Sequence, residues 1–376
     1  VQQKGTAILR EINQKSVLSY LRKHKTCSRM DLVKALGVSK NTISLIVDQL
    51  VKEGIVLDVG LEEQQGAGRP RKLITIEPRS YISIGLSLTK TKCTYFIMDF
   101  FLEVIKKGEI SFPSERLAPQ IEQIIELAKH LQEKYPDSIG LSIAIPGLVD
   151  PDTGIVHEST HSQWKNINIK ETLEKVISIP VYILNTVKAS ALGAIEKLSG
   201  SDLSSAFYIR IEDGVGGAFI INNKVHNGIS WSAGELGHIS VEPDGPLCNC
   251  GQKGCLETLI SLPVFKKTTM QMNQDLFSDG SLNLEKFSDP IQKVLSQYGM
   301  YLGIGMTHII HLLNPESIII ESPYNQAKVF RESTLFSISS RALTLPYSNT
   351  DIQFIQTPYS SAFGAGVHSV LRYEEV

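Results

Sequence analysis

The 376-residue sequence predicts an α/β chain in two parts. A winged helix-turn-helix head covers residues 1–78, and a two-lobed, actin-like (ribonuclease-H-like) body with a structural zinc knuckle covers 79–376. Three observations predict it. Two helical stripes flank a short Gly-containing turn and lead into two strand-like runs, the helix-turn-helix-and-wing order. Three closely spaced strand-like runs, a helix and another strand open the body, and helices then alternate with strands. His238 precedes Cys248, Cys250 and Cys255, a complete tetrahedral shell for zinc.

In the head, Val17, Leu18, Tyr20 and Leu21 give a first helix from about Asn13 to Lys23. Ser28 with Asp31 reads as an N-cap with an acidic first turn, Met30, Leu32, Val33 and Leu36 line the second helix, and Gly37 stops it. Ser39 caps a third helix that turns Ile43, Ile46, Val47 and Leu50 inward and ends near Gly54. Its outward residues, Lys40, Asn41, Thr42 and Ser44, together with the cap Ser39, are polar and short enough to meet base edges and phosphates. Ile55–Leu57 and Lys72–Ile76 form the wing, whose Pro-stiffened tip offers Arg69, Arg71 and Lys72 to phosphate or a narrow minor groove. Residues 1–78 hold 13 Lys and Arg against 8 Asp and Glu, a net of +5, while the remainder holds 24 against 31, a net of −7. A basic head on an acidic body suggests a nucleic-acid-binding module joined to something else, and the helix-turn-helix order makes double-stranded DNA the head's expected partner.

The body starts after a junction at Pro78-Arg79-Ser80. Strands are expected at Tyr81–Leu88, Lys92–Asp99, Val104–Phe112 and Ile139–Ile145, with a helix from about Ala118 to Lys134. Helix Lys188–Leu198, strands Ala206–Ile211 and Ala218–Ile221, and a long apolar helix from about Ile291 to Leu313 follow. Strand Ser317–Glu321, a helix near Gln326–Ser340, strand Ile352–Gln356 and a helix from Ser361 close the chain. The smaller lobe is expected over about 79–184 plus the C-terminal helix, and the larger over about 185–360. No fixed-period repeat is visible.

Composition sets the outer bounds. A hydrophobic content of 42 % and 20 % charged residues suit a globular protein with sizeable cores. No apolar run reaches membrane-span length and no signal-peptide pattern opens the chain, so a cytoplasmic location without a membrane partner is expected. Five cysteines in a chain this long make no disulfide scaffold, and their clustering with a histidine favours metal.

Four stretches then carry a resemblance: Ile145-Pro146-Gly147-Leu148-Val149-Asp150, Gly214-Val215-Gly216-Gly217, Gly234-Glu235-Leu236-Gly237-His238, and Cys-x-Cys-Gly-x-x-Gly-Cys-Leu-Glu from Cys248 to Glu257. In that order they resemble the ROK family, named for repressors, open reading frames and kinases, over essentially all of residues 81–376. The head in front looks like the repressor branch, of the xylose and N-acetylglucosamine types.

The resemblance also says what is missing. ROK kinases end their first strand in an Asp-x-Gly-Gly-Thr-type phosphate loop, where this chain has Gly85-Leu86-Ser87-Leu88-Thr89-Lys90. Their Asn-Asp pair supplies the general base, where this chain has Asn185-Thr186, and a hydroxyl does not accept a proton near neutral pH. Their late Gly-Gly pair is replaced by Glu321-Ser322. No catalytic residue and no bound nucleotide are therefore expected. The resemblance implies sugar contacts from Asn185, Glu235, His238 and Glu257, with His238 giving one ring nitrogen to zinc and the other to the ligand. Asp150 and Asp152 read as turn residues, Trp164 as core, Cys27 and Cys93 as buried apolar groups, and His308 and His311 as core or interface groups. His157 and His161 flank a loop and receive no role.

The favoured expectation is a sugar-responsive, DNA-binding repressor of carbohydrate-utilisation genes, released by its sugar, acting as a homodimer with a tetramer as the alternative. Two rival readings stand beside it: a ROK sugar kinase with a DNA-binding head, and a regulator controlled by a protein partner with a vestigial sugar site.

Overall fold

The structure is a computed structural model and describes residues 2–61, 71–112, 117–159, 164–199, 203–270, 277–278, 281–282, 288–355 and 361–375. The chain divides into two compact units, Val1–Thr186 with Ser361–Val376, and Val187–Ser360.

The first unit opens with α1 (Gln2–His24), which begins well ahead of the Asn13 that the apolar stripe suggests. Ala7, Leu9, Arg10 and Glu11 are strong helix formers and carry the helix outward without any buried face to announce it. Val17, Leu18 and Leu21 are fully buried. After β1 (Cys27–Ser28), α2 (Arg29–Leu36) starts in a capping box: the Ser28 hydroxyl accepts from the Asp31 amide, and the Asp31 carboxylate accepts from the Ser28 amide. Gly37, at φ 65, ends α2 and donates to the Val33 carbonyl. In α3 (Lys40–Lys52), capped by Ser39, Ile43, Ile46, Val47 and Leu50 face inward. β2 (Val56–Leu61) and β3 (Lys72–Ile76) pair antiparallel, and β1 closes the other edge of β3. The expected wing tip up to Pro70, including Arg69, lies outside the described residues.

The same unit continues with β4 (Ile82–Leu88), β5 (Lys92–Met98), β6 (Val104–Ser111), α4 (Leu117–Lys134) and β7 (Ser138–Ile145). The short strands β8 (Leu148–Val149), β9 (Ile155–Glu158) and β10 (Lys165–Asn168), then α5 (Ile169–Glu174) and β11 (Val181–Asn185), complete that stretch. Its sheet runs β11-β7-β4-β5-β6, with β4, β7 and β11 parallel and β4, β5 and β6 an antiparallel meander. Every residue of β4 and β7 is buried, as strands covered on both faces must be.

α6 (Thr186–Ser199) leads into the second unit, with β12 (Ser205–Ile211), β13 (Val215–Ile221), β14 (Lys224–Val225), α7 (Glu257–Ile260) and α8 (Leu262–Thr269). β15 (Phe277–Ser278), β16 (Ser281–Leu282), α9 (Asp289–Leu313), β17 (Ser317–Glu321), α10 (Lys328–Ser339), α11 (Thr344–Ser348) and β18 (Asp351–Ile355) follow. The sheet order is β14-β13-β12-β17-β18, with β12, β17 and β18 parallel. His308 and His311 on α9 are both exposed, which sets aside the core alternative and leaves the interface one, and the His311 Nε2 accepts from the Leu343 amide at 3.0 Å.

The last helix, α12 (Ser361–Glu374), returns to the first unit and packs on β4 and β7. It lies so close that a Cβ on Gly85 would stand 2.0 Å from the Ala362 carbonyl oxygen and 2.3 Å from the Gly366 nitrogen. Its far end meets α1, where Glu374 takes Arg22 through Nε at 2.7 Å and Nη2 at 3.1 Å, both side chains being less than a tenth exposed. Tyr81, Phe100 and Tyr373 pack as an aromatic cluster beside that pair, with ring centroids 5.1 to 6.0 Å apart. Among the described residues no helix is long and apolar enough to cross a membrane.

Candidate ligand and metal site

The second unit carries three of the four motif stretches, those that begin at Gly214, Gly234 and Cys248. Gly234 precedes the 3-10 turn Leu236–His238 and Gly237 lies inside it, and both let the turn sit against β13. A Cβ at Gly234 would lie 2.3 Å from the Gly217 carbonyl oxygen, and one at Gly237 would lie 2.1 Å from that of Val215. Close backbone approach, rather than turn geometry alone, therefore requires both glycines. Leu236 and Leu256 are buried in the core cluster that includes Leu302 and Met306 of α9, so the turn and the knuckle share one apolar anchor.

The knuckle closes by backbone bonds: Cys248 donates to Gln252 at 2.7 Å, Gly251 to Cys248 at 2.9 Å, and Leu256 to Ile239 at 3.0 Å. These bring ligand atoms of His238, Cys248, Cys250 and Cys255 within 4.8 Å of one another. His238 Nδ1 stands 3.6 Å from the Cys248 Sγ, and the Cys250 and Cys255 Sγ atoms are 3.6 Å apart. Tetrahedral zinc with sulfur at its usual bond length needs edges of about 3.8 Å, so the donor set fits a divalent metal in kind and spacing. With Nδ1 facing the sulfur, Nε2 is the ring nitrogen that points elsewhere. Cys250 is the exposed ligand, and the Gln252 backbone amide leads in lowering its thiol to about 7; burial raises Cys255 to about 12.

Glu235 sits among three other ionisable groups, His238, Lys188 and Glu257. Burial raises the Glu235 carboxyl, His238 and Lys188 oppose that rise, and Glu257 adds to it. Glu257, the first residue of α7, accepts from the Val215 amide at 3.0 Å, and a Cβ on Gly214 would come within 2.7 Å of its Oε2. The glycine-rich segment thus forms a hairpin, with the Glu212 amide donating to the Gly214 carbonyl, and one of its amides is already taken by a carboxylate. Lys188 is the residue that sequence reasoning missed. It is buried, its amine is lowered to about 8 by that burial, and it donates to Asn227 Oδ1 at 2.9 Å and the Trp231 carbonyl at 2.7 Å. The signal was present: a single lysine inside the otherwise apolar and small run Val187–Ala194.

Asn185 belongs to the first unit, where its Nδ2 donates to the Gly147 carbonyl at 2.8 Å. The phosphate-loop counterpart is there too. The Ser87 hydroxyl pairs with that of Ser361 at 2.6 Å, and the Thr89 amide is spent on the Lys92 carbonyl. Trp164 is core, its indole N–H donating to Gln120, and Asp150 accepts from the amides of Asp152 and Thr153 as a turn residue. Cys27 and Cys93 are buried. His161 lies outside the described residues. In the head, Lys40 and Asn41 are exposed, Ser44 is half-buried, and the Ser39 and Thr42 hydroxyls bond each other at 2.9 Å. Arg71 reaches Asp31 at 3.4 Å and Lys72 reaches Asp58 at 3.1 Å.

With this geometry in hand, comparison with known proteins decides the family. The ROK family model matches residues 83–365. The chain belongs to the ROK family. It is 30 % identical over 323 residues to the xylose repressor of Bacillus subtilis, covering 84 % of this chain and 83 % of that one. It is 25 % identical over 375 residues to the Escherichia coli DNA-binding transcriptional dual regulator NagC, covering 95 % and 92 %. A ROK-family transcriptional regulator homologous to E. coli Mlc superposes with a TM-score of 0.81 at 23 % identity, over 97 % of both chains. The ROK hexokinase of Thermus thermophilus superposes at 0.67 with 21 % identity, over 77 % of this chain and 98 % of its own. The structural likenesses establish the shared fold. Within the family, these sequence relatives are transcriptional regulators, and sugar kinases share the body.

Proposed function

We propose that this ROK protein is a sugar-responsive transcriptional repressor that binds operator DNA through residues 1–78 and senses its effector through residues 79–376. The head is a winged helix-turn-helix, with α3 as the reading helix and the β2–β3 hairpin as the wing. His238, Cys248, Cys250 and Cys255 hold a structural zinc, and a shell filled by four protein ligands leaves no open position for metal-bound water. Glu235, Glu257 and His238 Nε2 offer paired acceptors and a ring nitrogen to sugar hydroxyls, and Asn185 is a further candidate contact. Zinc on Nδ1 fixes the tautomer that presents Nε2.

One observation carries this reading: Glu235 and Glu257 flank a histidine whose other nitrogen faces the thiolate shell, while Thr186 stands where a kinase needs its base. A hydroxyl does not accept a proton near neutral pH, so in this reading the chain is a sensor and turns over no substrate. A repressor with one reading helix per chain acts as a homodimer on a palindromic site. The test is calorimetric titration of zinc-loaded protein with xylose, N-acetylglucosamine and a panel of hexoses, each followed by operator binding with and without the sugar. A sugar that binds and shifts operator affinity supports the reading, and ATP consumption with any of them overturns it.

A further inference from the structure

Leu45 is out of phase with the helix that carries it. α3 buries Ile43, Ile46, Val47 and Leu50, and its opposite face exposes Lys40, Asn41, Leu45 and Asp48. Leu45 keeps 69 % of its surface in water, the highest value among the large apolar side chains described in residues 1–78. Scattered exposed leucines are ordinary on protein surfaces. This one sits one turn beyond Asn41 on the outer face of a helix capped by Ser39, in a part of the chain with a net charge of +5. The charge suits a polyanion, and the exposed stripe then faces the groove. In the major groove the apolar feature is the thymine C5-methyl, and the amide of asparagine pairs with the adenine N6 and N7.

Spacing makes the assignment specific. Four residues of helix rise about 6 Å. Base pairs stack about 3.4 Å apart, so the two side chains meet positions about two steps apart. Resting on the reading of residues 1–78 as a DNA-binding head, we propose that Leu45 is a specificity-determining residue that packs on a thymine methyl about two base pairs from an adenine read by Asn41. The Arg29 guanidinium holds Asp48 at 2.7 Å, which draws that carboxylate's charge back from the backbone phosphates.

The test begins with the full-length, zinc-loaded protein and duplexes that it enriches from a randomised library. Each thymine of an enriched duplex is replaced in turn by deoxyuridine, which removes the methyl and keeps the pairing. One thymine per half-site should cost wild type about fourfold in affinity, the worth of one buried methyl group. In Leu45→Ala that same replacement should cost nothing further, while Asn41→Ala should retain the methyl penalty and relax the adenine preference. Thermal melting of Leu45→Ala should match wild type, because the side chain is mostly exposed. An identical methyl penalty in wild type and Leu45→Ala, or none in either, overturns the assignment and leaves DNA binding intact. Enrichment of no duplex overturns the DNA-binding reading and this one with it, and points to a protein partner on the same face.

Discussion

In the first unit, β6-β5-β4-β7-β11 is an antiparallel meander followed by two parallel strands; in the second, β14-β13-β12-β17-β18 repeats that order strand for strand. The two sheets differ in what stands at their edges and ends. β4 receives α12 backbone to backbone at Gly85, and its C-terminal end is closed by the neutral Ser87–Ser361 hydroxyl pair. β13 receives the glycine-bounded turn of His238, and charged groups gather around it: Glu235, Glu257 and Lys188. Each unit also buries an arginine–glutamate pair. Arg22–Glu374 ties α1 to α12, and Arg210–Glu321, at 3.1 Å, fills the ends of β12 and β17 with Tyr208 bonded to the same carboxylate. One topology carries a neutral, closely packed edge in one unit and a gathering of charged and metal-competent side chains in the other, so the fold alone does not tell where function lies.

Four experiments break or sharpen that contrast. The largest effect is expected from metal removal. Structural zinc contributes about 10 kcal/mol or more at neutral pH. Chelation should therefore release hydrogen-exchange protection in β13 and α7 while β4 and β7 stay protected; equal loss in both sheets would erase the distinction. Next comes Gly85→Ala, whose Cβ meets backbone it cannot displace and should cost about 4 kcal/mol or more in denaturant titration. Gly217→Ala meets the Phe207 ring at 2.6 Å and the Gly234 carbonyl oxygen at 2.7 Å, a single backbone atom and at longer range than those facing Gly85, and should cost less, about 3 kcal/mol.

The buried pairs come third. Glu374→Ala takes two bonds, at 2.7 and 3.1 Å, from a guanidinium less than a tenth exposed and should cost about 3 kcal/mol. Glu321→Ala leaves Arg210 with Glu212 at 2.7 Å and Ser190 at 2.9 Å, so its loss should be smaller. A greater loss for Glu321 would place the tighter electrostatics in the second unit. The smallest effect concerns His368 on α12, held at about 3 by burial and then by Arg372, with Nδ1 at 3.1 Å from the Ser142 hydroxyl. A histidine with a lowered folded pKa contributes stability that is intact above its unfolded value of about 6.5. That contribution drains away between there and about pH 3, because the unfolded chain binds the proton first. His368→Gln should flatten the stability profile in that window, with little change at neutral pH, while leaving the second unit's melting unchanged.

Much of this protein was legible in its sequence. Apolar phase and caps gave α2 and α3, since Ser28, Asp31, Gly37 and Ser39 act on the backbone within one turn. The spacing from His238 to Cys255 named a four-ligand cluster that the fold assembles, because the knuckle's loops are short and bonded to themselves. Motif order named the ROK family. Other features were decided by tertiary structure alone. The repeated sheet order depends on pairings such as Ala206 with Ser317, and no local pattern encodes a partner so distant in the chain. The exposure of His308 and His311 depends on which side of α9 faces its neighbours. The close approaches at Gly85, Gly234 and Gly237 exist only once the backbone pressed against each is in place. Lys188 became a neighbour of Glu235 only when α6 and the loop at Asn227 and Trp231 met. Period, caps and ligand spacing are written over a few residues and survive in the sequence, whereas close approach and burial belong to pairs of segments that only folding brings together.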